Sequence, residues 1–201
     1  MALSEDAHAS QIEWYQSITA SKPFFGQEFL TWLWFRSESG EDQVNLTGST
    51  GEEYVFDLWI DDRLILESST ARAHHHTIRG GDPSQSAEAA TALLTGKSVK
   101  ELKMGINVEG YGEYQAVLSG KDLAPRSLSL PDQEDASGEA IADPLELIQL
   151  RLEQMRVFLD ILDGLFLQFI SERTEDSWED ISLRQIQSWI KDRAGREFPV
   201  H

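Results

Sequence analysis

Three consecutive histidines, His74-His75-His76, are the residues of this sequence best suited to metal chemistry. Imidazole nitrogens bind Zn²⁺ and similar ions, and in an extended strand the side chains of His74 and His76 point to the same face. No carboxylate or further histidine stands at a recognisable ligand spacing around them, and the sequence has no cysteine. We therefore expect a solvated strand face, no metal and no cofactor, with His74 and His76 as the residues to test for metal binding.

Two glycine-containing segments partly match phosphate-binding loops. Arg79-Gly80-Gly81-Asp82-Pro83-Ser84 precedes a predicted helix, whose first backbone N–H groups could bind an anion. Gly96-Lys97-Ser98 matches only the end of a P-loop, because Thr91 stands where its first glycine should be. We interpret Gly96 as the residue that ends the preceding helix.

The acidic pairs of the sequence do not form a recognisable catalytic set. Two carboxylates act as acid and base only where a cleft shifts their pKa values, and a sequence cannot show that cleft. Without a cysteine or a Gly-x-Ser-x-Gly motif, there is also no supported nucleophile. We expect turn and surface positions for these pairs and a protein that is not an enzyme. The pairs are Glu52-Glu53, Asp61-Asp62 and Glu179-Asp180.

The charge of the chain is strongly negative and unevenly distributed. Its 17 basic and 35 acidic residues give a net charge of −18, which keeps a protein soluble and repels polyanions at long range. Residues 23–70 carry ten acids and two bases, and residues 132–174 carry ten acids and three bases. The exception is the basic segment 71–103, where we expect any contact with nucleic acid. Its cations are Arg72, Arg79, Lys97, Lys100 and Lys103.

The hydrophobic pattern predicts an α+β fold, in which a small, mostly antiparallel sheet is packed by an aromatic helix and a long C-terminal helix. Apolar and polar residues alternate in 54–60 and in the hairpin 99–118, as in strands with one buried face. A tight turn is predicted at Asp61-Asp62-Arg63, before a further strand over 64–67.

Two helices carry most of the apolar residues. The aromatic helix, about 27–37, is apolar around nearly its whole circumference, which predicts a buried core helix. The long helix begins with Asp143 as N-cap and Pro144 in its first turn, and it ends near Arg173. Its apolar residues follow a three-four spacing that predicts one continuous packing stripe, available to a partner helix. They are Ile148, Leu152, Met155, Leu159, Leu162, Phe166 and Phe169.

We divide the chain into four parts. They are an N-terminal helix and linker (1–22), an α+β core (23–131), an acidic flexible linker (132–142) and a C-terminal helical segment that packs on the core (143–201). Residues 1–8 lack a basic n-region and an apolar h-region, so we expect no signal peptide. The most apolar window, 157–170, is too short and too charged to cross a membrane. We therefore expect a cytoplasmic protein without membrane contact.

A longer match connects the sequence to a known family. Phe25-Gly26-Gln27-Glu28-Phe29-Leu30-Thr31-Trp32-Leu33-Trp34 resembles the Leu-Gly-Arg-Glu-Phe-Leu-Thr-Trp-Leu-Trp run in the C-terminal part of long RdgC-like proteins, the recombination-associated family. Segments 57–67, 88–97 and 162–169 are similar to that family in the same order, so the likeness covers about residues 24–178. Gln27 replaces the arginine of that run, and the N-terminal part that defines the family has no counterpart here. No DNA-binding residue of the family is therefore carried over.

The resemblance implies a non-enzymatic protein of DNA recombination or replication. The family binds duplex DNA with little sequence preference and restrains the recombinase RecA. A net charge of −18 argues against phosphate binding as the main activity of this chain. We therefore expect action through protein partners, such as a separately encoded RdgC-like subunit, another DNA-processing protein or a second copy of the chain.

Three other functions stay open at this point. The basic segment could bind duplex DNA directly, with an affinity that falls steeply with salt and on neutralising Arg79 and Lys97. The acidic surface could instead act as a DNA mimic in a cationic groove, which requires the carboxylates of 38–67 and 132–146 to share one face. A metal-dependent enzyme would need an ion bound at the histidine triplet.

Overall fold

The computed structural model describes residues 26–39, 43–68, 76–79, 86–132 and 143–195. Within these ranges the chain has the predicted α+β fold, with four helices and one antiparallel sheet of six strands. The helices are α1 (Gly26–Ser39), α2 (Ala87–Leu94), α3 (Pro144–Thr174) and α4 (Ser182–Ala194). The strands are β1 (Val44–Thr47), β2 (Glu53–Ser68), β3 (His76–Arg79), β4 (Lys97–Val108), β5 (Gly112–Ser119) and β6 (Pro125–Ser129). No helix in this part of the chain is both long and apolar enough to cross a membrane.

Strand β2 organises the sheet. The strand order is β1-β2-β4-β5-β6, and β3 pairs with the same edge of β2 as β1 does. β1 lies along the first residues of β2, Glu53–Phe56, and β3 lies along Arg63–Leu66 near its other end. β4 pairs with the opposite edge over almost the full length of β2, so β2 and β4 form the centre of the sheet.

The predicted tight turn at Asp61-Asp62-Arg63 is wrong. β2 continues through these residues, and they bulge opposite Lys103 between the pairs Ile60–Met104 and Leu64–Leu102. A bulge adds residues to one strand without ending the pairing, and here it keeps Ile60 and Leu64 both in the core. A short polar run between two apolar runs resembles a turn in sequence, which explains the error.

Helix α1 is the core helix that its composition predicts. Phe29, Leu30, Trp32, Leu33 and Trp34 each expose at most 1% of their surface. The helix packs on β2 and β4, and its aromatic rings also contact the C-terminal half of α3.

Helix α3 begins as the sequence predicts. The Asp143 carboxylate accepts a hydrogen bond from the Leu145 backbone N–H at 2.9 Å, and Pro144 occupies the first turn. A side-chain cap supplies an acceptor to a backbone donor that the helix leaves free, and proline has no such donor to lose.

Asp160 fixes the middle of α3 to the turn between β1 and β2. Its carboxylate accepts four hydrogen bonds of 2.7 to 2.9 Å, from the Ser49 and Tyr54 hydroxyls and from the backbone and side chain of Thr50. One turn further on, Gly164 allows the close contact, because a Cβ there would lie 3.0 Å from a backbone oxygen of β1. Hydrogen bonds and close packing therefore hold the turn against the helix.

Candidate functional site

An apolar patch lies on the N-terminal half of α3. Of the eight large apolar side chains that the described residues leave exposed, five are on this half of the helix. We call these five the exposed stripe. They are Leu145 (62% exposed), Ile148 (56%), Leu152 (61%), Met155 (41%) and Leu159 (41%).

The exposed stripe has the spacing of a coiled-coil seam. Its residues alternate in steps of three and four, which places them along one side of an α-helix, as at the a and d positions of a heptad. From Leu145 to Leu159 the stripe extends over about 21 Å at 1.5 Å per residue. A seam of this length is suited to contact with another helix.

The same line of residues continues into the core. Phe166 and Phe169 follow the stripe along α3, and their rings lie 5.1 and 5.5 Å from the ring of Phe29 in α1. The predicted packing stripe is thus covered by α1 in its second half, whereas the described structure leaves its first half uncovered. Leu145 extends the predicted stripe by one step. Its three-residue distance from Ile148 is the sequence signal that could have placed it in the stripe.

The opposite side of α3 packs on the domain from Gln154 onward, whereas no residue of 144–153 is buried. Gln154, Val157, Phe158 and Ile161 are buried, and the Phe158 ring stacks on Tyr114 of β5 at 6.0 Å. From Gln154 to Leu159, α3 therefore has one side packed on the domain and one apolar side that the described residues leave uncovered. Covering five half-exposed side chains would contribute on the order of 5 kcal/mol.

A polar row runs parallel to the exposed stripe on one side. It contains Glu146, Gln149, Glu153 and Arg156, in steps of three and four along α3, and then Asp163, seven residues further on, with the buried Asp160 between. On its other side, the stripe is bordered by the half-buried Arg151 and by Phe158, which faces the domain. The polar row thus sets the charge along this side of the stripe.

The single arginine of the polar row is held by two carboxylates. Arg156 donates to Glu153 at 2.6 Å and to Glu52, in the turn before β2, at 3.0 Å. Hydrogen bonds from Tyr54 and Arg156 lower the pKa of Glu52, and the hydrogen bond from Arg156 lowers the pKa of Glu153. Both carboxylates are therefore ionised at neutral pH, and this side of the stripe is acidic.

Two of the predicted DNA-contacting lysines lie on β4 beside acids of β2. The ammonium of Lys103 is 2.7 Å from Asp61 and 3.5 Å from Asp62, the two carboxylates of the bulge. The hydrogen bond to Asp61 raises the pKa of Lys103, although burial opposes it. Lys100 is 3.5 Å from Glu67. The acids of β2 therefore offset both positive charges, a pairing that depends on strand register and has no local signal in the sequence.

The remaining cations of the basic segment are only partly within the described structure. Lys97 begins β4 and is half-buried. Arg79 ends β3, where the register places it beside Arg63 of β2, and Arg72 lies outside the described residues. The sheet thus brings Lys97, Lys100 and Lys103 onto one strand and Arg79 onto another, with β2 between them.

The histidine triplet is described only at its end. His76 begins β3 and pairs with Leu66, whereas His74 lies outside the described residues. Within the ranges that the structure describes, no group of three or more His, Cys, Asp or Glu side chains could hold a metal ion. Residues 1–25 and 133–142 also lie outside, so the N-terminal helix and almost all of the acidic linker stay predictions.

Comparison with known proteins identifies no family for the chain. No family model matches the sequence, and no curated protein matches it. The relation to RdgC-like proteins is thus a prediction that depends on the residues quoted above.

Proposed function

We propose that this chain is a non-enzymatic, cytoplasmic interaction protein of DNA recombination or replication, and that it binds a helix of a separate protein through the exposed stripe. The observation that supports the binding surface is the apolar side of α3 that the described residues leave uncovered, from Leu145 to Leu159. The resemblance to RdgC-like proteins supports the cellular process.

The stripe fits the helix-in-groove type of recognition. An amphipathic helix binds such a surface through apolar residues at heptad spacing, as the two strands of a coiled coil do. α3 is already folded and anchored, through Asp160 at its middle and through Phe166 and Phe169 in its second half. A preformed surface loses little conformational entropy on binding, which favours affinity.

The experiment compares the proteins that are captured by the wild-type chain, by Leu152→Glu and by Leu94→Glu. Leu152 lies in the stripe, and Leu94 is a similarly exposed leucine on α2 that serves as the control. Captured proteins are identified by mass spectrometry, and the binding is then measured with the purified partner. We expect to capture a recombination or replication protein. Leu152→Glu should weaken its affinity by at least about tenfold, or 1.4 kcal/mol, and Leu94→Glu should leave that affinity unchanged.

Two results would contradict the proposal. If no captured protein depends on Leu152, the stripe is not the binding surface. If the protein that depends on Leu152 has no part in DNA metabolism, the binding surface stands and the cellular process is wrong.

A further inference from the structure

The charge at the border of the exposed stripe restricts which helix can cover it, an argument that rests on the proposed function. We propose that the partner is a cationic amphipathic helix of a different protein, with apolar residues at heptad spacing and Lys or Arg at the positions that flank them.

The first reason is the sign of the polar row. Glu146, Glu153 and Asp163 are exposed along it, and Glu52 adds a fourth carboxylate from the adjacent turn. Against these four acids stand Arg156, which already contacts two of them, and Arg151 on the other side of the stripe. A helix that lies in the stripe places its own flanking residues against this row. Opposite charges there favour association and like charges oppose it.

The second reason is that like charge disfavours two other helices that could cover the stripe, one from a second copy of the chain and one from its own N-terminal segment. A second copy would bring another net charge of −18 and an identical acidic row. The N-terminal segment 5–18 of the chain itself contains Glu5, Asp6 and Glu13 and has no Lys or Arg. Either occupant would place carboxylates against carboxylates, whereas a lysine-rich or arginine-rich helix would not.

The test uses two synthetic peptides of roughly three heptads each, with leucine at every a and d position. One peptide has lysine at the flanking e and g positions, and the matched peptide has glutamate there. Each carries a fluorescent label, and anisotropy is followed as the protein is added. The titrations use the wild-type chain, Leu152→Glu and the control Leu94→Glu, first at low and then at physiological salt.

We expect the lysine peptide to bind at least about tenfold more tightly than the glutamate peptide, with a difference that shrinks as salt is raised. Leu152→Glu should weaken the affinity for the lysine peptide by at least about tenfold. Leu94→Glu should leave its affinity unchanged. Because Leu152→Glu adds a negative charge, its effect separates apolar docking from simple charge attraction.

Three results would overturn the inference, and they point to different causes. If both peptides bind equally and Leu152→Glu abolishes the binding of each, the stripe is a binding surface but its partner need not be cationic, and the inference is wrong. If Leu152→Glu does not weaken the binding of the lysine peptide, that binding reflects the net charge of the protein, and the stripe is not the binding surface. In this cysteine-free chain, rapid formation of a disulfide-linked dimer by Leu152→Cys would identify a second copy as the occupant.

Discussion

Asp160 exposes only 3% of its surface, yet its pKa lies below the ordinary value of an aspartate. Burial by itself would raise the pKa, but the hydrogen bonds from Ser49, Thr50 and Tyr54 outweigh it. The same bonds affect Tyr54, whose pKa is raised by burial and by the neighbouring Glu52 and Asp160 carboxylates. A charge in the middle of an apolar helix is therefore stable here because every donor around it is in place.

Replacing Asp160 should weaken the fold. In Asp160→Ala the hydroxyls of Ser49, Thr50 and Tyr54 lose their shared acceptor, and we expect a loss of about 3 kcal/mol in the free energy of unfolding. Urea denaturation measures this loss. Glu146→Ala, an exposed carboxylate on the same helix, should change the stability by less than about 0.5 kcal/mol. Equal effects of the two variants would show that the contact between turn and helix contributes little.

The contribution of Asp160 to the free energy of unfolding should decrease as the pH falls. Its pKa is lower in the folded protein, so the unfolded chain takes up the proton first as the pH falls. The stability difference between the wild type and Asp160→Asn should be complete above about pH 4, near the ordinary pKa of aspartate, and should shrink below it. Urea denaturation over this pH range measures the difference. A difference that grows as the pH falls would contradict the account.

At the scale of the element, helix α3 shows what a hydrophobic pattern can and cannot predict. The spacing of its leucines and phenylalanines predicts the helix, its capped start and its apolar side. The spacing does not predict that α1 covers only the part near Phe166 and Phe169, because that contact depends on residues more than a hundred positions away. The uncovered part near Leu152 could therefore be located only in the fold.

The two sides of α3 should respond differently to substitution. Leu152→Glu changes an exposed side chain, so the free energy of unfolding should stay within about 0.5 kcal/mol of the wild type. Phe158→Ala removes a buried ring that stacks on Tyr114 and should cost about 3 to 5 kcal/mol. Thermal and urea denaturation check both values. A large loss for Leu152→Glu would mean that part of the same chain already covers the stripe.

Strand β2 shows the corresponding limit for strands. Alternation predicted residues 54–60 and the hairpin 99–118, since their buried faces repeat every second residue. The bulge at Asp61-Asp62-Arg63 could not be distinguished from a turn, because both place polar residues between two apolar runs. The difference matters for function, since the bulge holds Asp61 and Asp62 beside Lys103. The charge of the basic segment therefore depends on register as well as on sequence.

For the whole molecule, the net charge of −18 and the paired lysines of β4 both oppose binding to duplex DNA. We expect no binding at physiological salt in a fluorescence-anisotropy titration of labelled duplex. Tight binding that weakens with salt and on neutralising Arg79 and Lys97 would make the basic segment a DNA-binding surface. Lys121, an exposed lysine outside that segment, provides the control substitution.

The most direct measurement is the oxidation rate of two methionines by dilute hydrogen peroxide, followed by mass spectrometry. Met155 lies in the exposed stripe and Met104 lies in the core, at 41% and 1% exposure. The account predicts that Met155 oxidises much faster than Met104 in the free protein and that the lysine peptide slows Met155 alone. If Met155 is as protected as Met104 in the free protein, the stripe is already covered, and the account of a surface open to a partner is wrong.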